Sequence, residues 1–219
     1  MDNRIIDTWE KNADEWVKVI DKGLIESRQY TNKAIENVLR DMSEKKILDI
    51  GCGEGWLTRS MTKMGKTAVG IDAIDALLAN ARTKGPESFY CLSYEDIIAG
   101  KQIPDAPFDA AVFNFCLYQK EGLHELLENT KKSLHKEGII IIQTLHPYFL
   151  FSNDLEYKSQ TISDSWKGLP GSFSDGHRWF ARTFEDWVSV ISKSGMKVSE
   201  LRETLNADKK PISLILKVS

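Results

Sequence analysis

The sequence predicts an α/β fold: a doubly wound, seven-stranded sheet, mostly parallel, with helices on both faces. Three observations carry this. Short apolar runs alternate with segments of helical spacing between about residues 46 and 145, and strands that alternate with helices pair in parallel. The first run ends in a glycine-rich turn, within residues 47–55, that opens a helix. The last two runs, 196–204 and 212–218, are joined by too short a link for a crossover and read as an antiparallel hairpin at the sheet's end.

The first forty residues read as two helices. Trp9, Ala13, Trp16, Val17 and Ile20 recur at helical spacing before a stop at Gly23. A second helix is expected over 24–42, with Ala34, Ile35, Val38 and Leu39 on its apolar face. The period then changes. Residues 46–50 form a short apolar run ending at Gly51, and Leu57, Met61 and Met64 follow at helical spacing. Residues 67–71 are the second strand, 74–83 a helix and 88–92 the third strand. Ser93, with Asp96 three positions on, forms a capping box for a short helix. Residues 108–115 are the fourth strand. Leu123, Leu126, Leu127 and Leu134 mark a helix expected to stop near Gly138, and 139–145 is the β-branched fifth strand. The crossovers are expected to be right-handed.

Regularity lapses over 146–182, which holds Pro147, Pro170, Gly168, Gly171, Gly176 and many aromatics. An insert of this length in a compact domain tends to be functional. Thr183 then opens a helix with Phe184, Trp187 and Ile191 inward. We expect a single domain over 1–219: a helical cap (1–43), a core (44–145), the insert (146–182), and a closing helix and hairpin (183–219).

Composition narrows the function classes. With 42% hydrophobic and 28% charged residues the chain reads as soluble and globular. A formal charge of −3 does not build the broad basic surface that nucleic acids need, so no nucleic-acid partner is expected. Cys52, Cys91 and Cys116 fit no disulfide or zinc pattern and read as reduced thiols in a cytoplasmic setting. The N-terminus lacks a signal-peptide core, and no apolar run approaches the roughly 18 residues that span a bilayer. No metal-ligand spacing joins the histidines, so no metal is expected. Oligomeric state is not legible.

The chemistry sits in Ile47-Leu-Asp-Ile-Gly-Cys-Gly-Glu-Gly55. Gly51, Gly53 and Gly55 permit positive φ and close backbone approach to a ligand, and the helix that follows offers free N–H groups at its start. Asp72 ends the next strand, where a carboxylate can accept both hydroxyls of a ribose; its alternative is a helix N-cap. A dinucleotide site needs a glycine where Trp56 stands. The G-x-G-x-G spacing therefore suits a nucleoside without a pyrophosphate.

This turn resembles motif I of the class I S-adenosylmethionine-dependent methyltransferases, a Rossmann-like family. Gly70-Ile-Asp-Ala-Ile74 is similar to the family's acidic loop, and Ser93-Tyr-Glu-Asp-Ile97 to its adenine-contacting segment. Phe108-Asp-Ala-Ala-Val-Phe-Asn114 resembles its fourth strand, and Leu134-His-Lys-Glu-Gly-Ile-Ile140 the approach to its fifth. The resemblance covers residues 45–146 and the closing hairpin, where the family runs six–seven with the seventh strand antiparallel. It implies S-adenosylmethionine as donor and S-adenosylhomocysteine as product. It places Gly51, Gly53, Gly55, Asp72, Ala73, Ser93, Tyr94 and Glu95 around the nucleoside and Asn114 at the sulfonium end. It makes Asp49 a partner of the methionine amino group, or else a support for the glycine loop. Arg28 and Tyr30 lie where related enzymes cover the cofactor; Arg28 then pairs with the cofactor carboxylate, or is a solvated surface residue.

The family's acceptor specificity lies in additions to the common sheet, here the N-terminal helices and the insert. Tyr148, Phe149, Phe151, Tyr157, Trp166, Phe173, Trp179 and Phe180 make the insert a candidate lid over a small, partly apolar acceptor, or a mini-core of its own. His146, Tyr118 and His177 are candidate general bases, each with a structural alternative. The reaction expected is methyl transfer to an O, N or C atom of a small molecule. The alternatives are a nucleoside-binding protein without turnover, a methyltransferase acting on RNA or protein, and a nicotinamide dehydrogenase, which Trp56 and the closing hairpin oppose.

Overall fold

The structure is a computed structural model describing residues 3–219, with side chains from residue 5. The first two positions of the expected cap, with the start of the segment read for a signal peptide, lie outside the described residues.

Helices α1 (Asn3–Asp21) and α2 (Arg28–Asp41) precede the first strand. The alternating core follows as β1 (Lys46–Ile50), α3 (Trp56–Lys63), β2 (Thr67–Asp72), α4 (Asp75–Lys84), β3 (Ser88–Cys91), α5 (Tyr94–Ile98), β4 (Phe108–Asn114), α6 (Leu123–Lys132) and β5 (Leu134–Leu145). The insert contains α7 (Tyr148–Ser152) and an antiparallel pair, β6 (Gln160–Ile162) with β7 (Trp179–Ala181). The chain closes with α8 (Phe184–Lys193), β8 (Val198–Leu205) and β9 (Pro211–Val218).

The seven-stranded sheet has the order β3-β2-β1-β4-β5-β9-β8. β1 to β5 pair in parallel, and β9 runs antiparallel to both β5 and β8. The closing hairpin is therefore folded inward: the later strand lies inside the sheet and the earlier one at its edge. Strand alternation splits the core in two. Ile140 and Ile142 pack with Leu48, Ile50, Phe113 and Trp187 on the face covered by α5, α6 and α8. Ile139 and Ile141 pack with Ile47, Val112, Ile35 and Leu57 on the face covered by α2 and α3.

Two expectations are corrected. The second helix starts at Arg28, because residues 24–27 form a turn. α6 ends at Lys132, and Gly138 lies inside β5 instead of stopping a helix. A Cβ at Gly138 would meet Leu134 Cβ at 2.6 Å and the Asp109 carbonyl at 3.0 Å, beside the register shift between Phe108 and Ala110. The glycine marks an irregular strand pairing, a use of glycine that resembles a helix stop in sequence.

Strand order reverses between β1 and β4, the place where open α/β sheets bind ligands beyond the carboxyl ends of their strands. The glycine turn follows β1 there, and Asn114 ends β4 beside it.

Candidate functional site: a nucleoside cradle after the first strand

The turn after β1 is pinned to β2. Gly51 N and Cys52 N both donate to the Ile71 carbonyl, at 2.8 and 3.0 Å. Gly51, Gly53 and Gly55 have φ of +71°, +56° and +77°, but their surroundings differ. A Cβ at Gly51 would lie 2.7 Å from Cys116 Cβ, and one at Gly55 2.6 Å from the Phe89 ring. At Gly53 the nearest atom would be Trp16 Nε1 at 4.0 Å. Gly51 and Gly55 are glycines for packing; Gly53 is the one that leaves room for a ligand.

Asp72 is where the sequence places it, at the end of β2. Its Oδ2 accepts from Gly53 N at 2.8 Å and its Oδ1 from Ile74 N at 2.9 Å. One carboxylate thus ties the glycine turn to the acidic loop, and each oxygen keeps a second lone pair for a hydroxyl. Burial pushes its pKa up, while the Ile74 and Gly53 N–H groups pull it down. The next residue, Ala73, packs against the cluster of Ala13, Ile74 and Leu77 beneath α1.

Asp49 is 1% exposed and accepts from Thr58 Oγ1 at 2.6 Å. Burial raises its pKa to about 7, and the negative charges of Asp72 and Glu54 push the same way. Glu54 is also 1% exposed; Arg59 Nη2 pairs with its Oε2 at 2.6 Å, and its Oε1 has no hydrogen-bond partner among the described residues. Three buried or half-buried carboxylates thus surround one turn, and only Glu54 has a close cation. Such a cluster is costly unless positive charge arrives from elsewhere.

Arg28 opens α2, and its guanidinium lies 4.8 Å from the centre of the Trp56 ring. Burial lowers its pKa, against the attraction of Glu54. It is not a solvated surface arginine: Trp56, read from sequence only as an obstacle to dinucleotides, is its platform. Tyr30 is half-buried two positions further along the same turn.

The adenine-side expectation is narrowed. Ser93 spends its side chain on the capping box, accepting from Asp96 N at 3.1 Å while Asp96 Oδ2 takes Ser93 N at 3.0 Å. The Tyr94 ring lies in the core, 6.4 Å from Phe113, and its hydroxyl donates to the Cys116 carbonyl at 3.2 Å beneath Gly51. What Tyr94 can offer a base is its backbone. Glu95 is exposed beside them. Asn114 ends β4 with its Oδ1 buried and without a hydrogen-bond partner among the described residues. Phe115 follows at φ +52°, a strained position for a bulky residue and one that recurs near functional sites.

The three candidate bases fare differently. His146 is 5% exposed; its Nδ1 accepts from Tyr148 N at 3.0 Å and its Nε2 lies 2.7 Å from Glu203 Oε1. Both nitrogens are engaged, so in this structure His146 ties the end of β5 to β8, the structural alternative to its reading as a base. His177 bonds Ser165 Oγ at 3.0 Å and lies between Trp9 and Trp166, with burial lowering its pKa. It belongs to the packing of the insert onto α1. Tyr118 stays beside the ends of β4 and β5, its ring 5.4 Å from Trp179, and burial drives its pKa upward. That suits a hydrogen-bond donor better than a base.

The insert aromatics divide. Trp166, Phe173 and His177 pack on Trp9 and Trp16 of α1, over the glycine turn. Phe149, Trp179 and Phe180 gather with Tyr118 at a cavity of about 20 Å³. Phe151 and Tyr157 stack on each other at 5.1 Å near the surface. Lid and mini-core are thus the same packing. Sequence reading missed Glu54, Thr58, Trp16, Gln119 and Arg182. Thr58 carries a faint signal, being nine residues after Asp49 on the helix that the turn opens.

Sheet order and cradle together define a nucleoside-binding domain of the methyltransferase type. Residues 48–142 match the methyltransferase-domain family. An uncharacterized methyltransferase of Schizosaccharomyces pombe is 33% identical over 162 residues, 71% of this chain and 60% of that protein. The ubiquinone biosynthesis O-methyltransferase of Rickettsia bellii is 26% identical over 117 residues, 53% of this chain and 49% of that one. The chain spans about half the length of the first curated relatives it matches. The Burkholderia thailandensis 1,6-didemethyltoxoflavin-N1-methyltransferase, solved with 1,6-didemethyltoxoflavin and S-adenosylhomocysteine bound, shares the fold at a TM-score of 0.66 and 13% identity, over 95% of this chain and 86% of that one. Over residues 48–142 the chain is thus similar to the methyltransferase-domain family, and its fold is that of S-adenosylmethionine-dependent methyltransferases.

The residues present fit that family's donor. Its positive charge would offset the buried carboxylates of Asp49 and Asp72, which have no close cation among the described residues. Its carboxylate matches the half-buried Arg28, and the open side of Gly53 leaves space for a close backbone approach.

Proposed function

We propose that this protein transfers the methyl group of S-adenosylmethionine to an O, N or C atom of a small-molecule acceptor and releases S-adenosylhomocysteine. The observation that carries the reading is the Asp72 carboxylate bridging Gly53 and Ile74, which sets a hydroxyl-binding group on the rim of the open glycine of the turn after β1. In it Asp72 accepts the ribose hydroxyls, Asp49 the ammonium, and Arg28 the carboxylate. The backbone of Ser93, Tyr94 and Glu95 borders the base, with Ala73 on the other side. Asn114 and Tyr118 face the reacting centre.

The donor supplies an electrophilic methyl carbon. The chain's residues hold it in line with the acceptor and exclude water, and a protein nucleophile is not needed. The small-molecule enzymes among the relatives support a small acceptor. The domain is read as one unit with the insert on the acceptor side. No helix among the described residues is long and apolar enough to cross a membrane. The three free cysteines suit a cytoplasmic setting.

Calorimetric titration with S-adenosylhomocysteine tests this. The wild type binds, and Asp72→Ala weakens binding by roughly 1–3 kcal/mol, the scale of a lost hydrogen bond to a buried charge. No binding to the wild type would overturn the reading, and equal affinity in the variant would remove Asp72 from the site.

A further inference from the structure

The cavity at the carboxyl ends of β4 and β5 has aromatic walls, Tyr118, Phe149, Trp179, Phe180 and Trp187, and one guanidinium, that of Arg182. Arg182 is 5% exposed. Its Nη2 donates to the Gln119 and Lys120 carbonyls at 2.8 and 2.9 Å, and its Nε lies 3.4 Å from Asp186 Oδ2. Its Nε and Nη1 are both buried with no hydrogen-bond partner among the described residues. Gln119 meets Arg182 through its backbone carbonyl only, and its side chain lines a separate pocket with Glu95 and Ile98. Phe180 and Trp187 flank the guanidinium at 4.9 and 5.5 Å. Holding an arginine between two rings and leaving two of its nitrogens unmet is expensive unless an anion completes it.

We infer that Arg182 anchors the acceptor and that the acceptor is a flat, largely apolar molecule carrying a carboxylate, which takes the Nη1 donor. The inference rests on the methyltransferase reading of the adjoining donor site. Carboxylate is favoured over phosphate because the guanidinium is already partly matched by Asp186 and has little charge left for a dianion. The walls favour a planar body. The free space of about 20 Å³ holds a single water, so a ring enters only if Phe149 and Trp179 turn aside.

The test titrates benzoate and its neutral counterpart benzamide into the protein loaded with S-adenosylhomocysteine, read by saturation-transfer nuclear magnetic resonance. Benzoate is expected to bind at least tenfold more tightly than benzamide. Arg182→Met abolishes the preference. So does Arg182→Gln, which keeps amide donors for the Gln119 and Lys120 carbonyls without the charge. Both variants retain S-adenosylhomocysteine binding by calorimetry. Equal binding of the two probes, binding of neither, or a preference that survives both substitutions would overturn the inference while leaving the donor reading intact. Failure of the wild type to bind S-adenosylhomocysteine would sink the donor reading and this inference with it.

Discussion

Asp49 shows how a residue can serve function at the expense of stability. Its pKa is raised to about 7 in the folded protein, by burial first and then by its acidic neighbours. Between the ordinary carboxylate range and pH 7 the folded state therefore holds a proton that the unfolded chain has lost. Stability falls as pH rises through this window and levels off above it. Asp49→Asn removes the loss: at pH 8 its melting temperature should rise by about 4–8 °C, with little change at pH 4, in calorimetric scans. The same variant should lose S-adenosylhomocysteine affinity, and wild-type affinity should fall as pH drops below 7. A pH-independent affinity would argue that Asp49 only supports the loop. The glycines divide as sharply. Gly51→Ala should cost about 2–4 kcal/mol of stability, from positive φ and a clash with Cys116. Gly53→Ala should cost about 1 kcal/mol and act on ligand affinity instead, as denaturant melts and titrations would distinguish. The site's backbone was legible because a positive-φ turn at a strand end allows few residues. The identity of Arg28's partner, the burial of Tyr94 and the tethering of His146 were not, since each depends on a residue distant in sequence: Trp56, Cys116 and Glu203.

At the level of elements, the β-branched and apolar runs announced the inner strands of the main sheet, because two buried faces leave no alternative to a continuous apolar segment, while the exposed edge strand β8 was readable only as the partner in the closing hairpin. Helix ends were harder. Gly138 was read as a stop although it belongs to β5, and only the crowding by Leu134 and Asp109 reveals its purpose. The capping box of α5 was readable from two residues, since both of its hydrogen bonds are local. Ser93→Ala should lower stability by about 1 kcal/mol in urea melts. Because that hydroxyl is already committed to Asp96, affinity for S-adenosylhomocysteine should be unchanged. A large loss of affinity would return the Ser93 side chain to the site.

The molecule as a whole is held shut by contacts between its most distant parts. Asn12 of α1 donates to the Ser174 carbonyl at 2.9 Å and accepts from Ser174 N at 2.9 Å, Thr8 Oγ1 donates to the Asp175 carbonyl, and Ser172 N donates to Glu15. Cap and insert thus form one cover, and freeing one frees the other. Asn12→Ala should speed limited proteolysis within 153–178 severalfold, with product masses locating the cuts; an unchanged rate would show that the aromatic packing alone holds the cover. Sheet order also sets the sequence of events at the ribosome. β9 follows every other strand in the chain yet lies inside the sheet, between β5 and β8. Until residues 211–218 emerge during synthesis, β5 presents an apolar, unpaired edge of the kind that recruits foreign strands. The nascent chain is therefore most exposed to misassociation in the interval between completing the nucleoside cradle and completing the sheet, the stage at which a chaperone would protect it most.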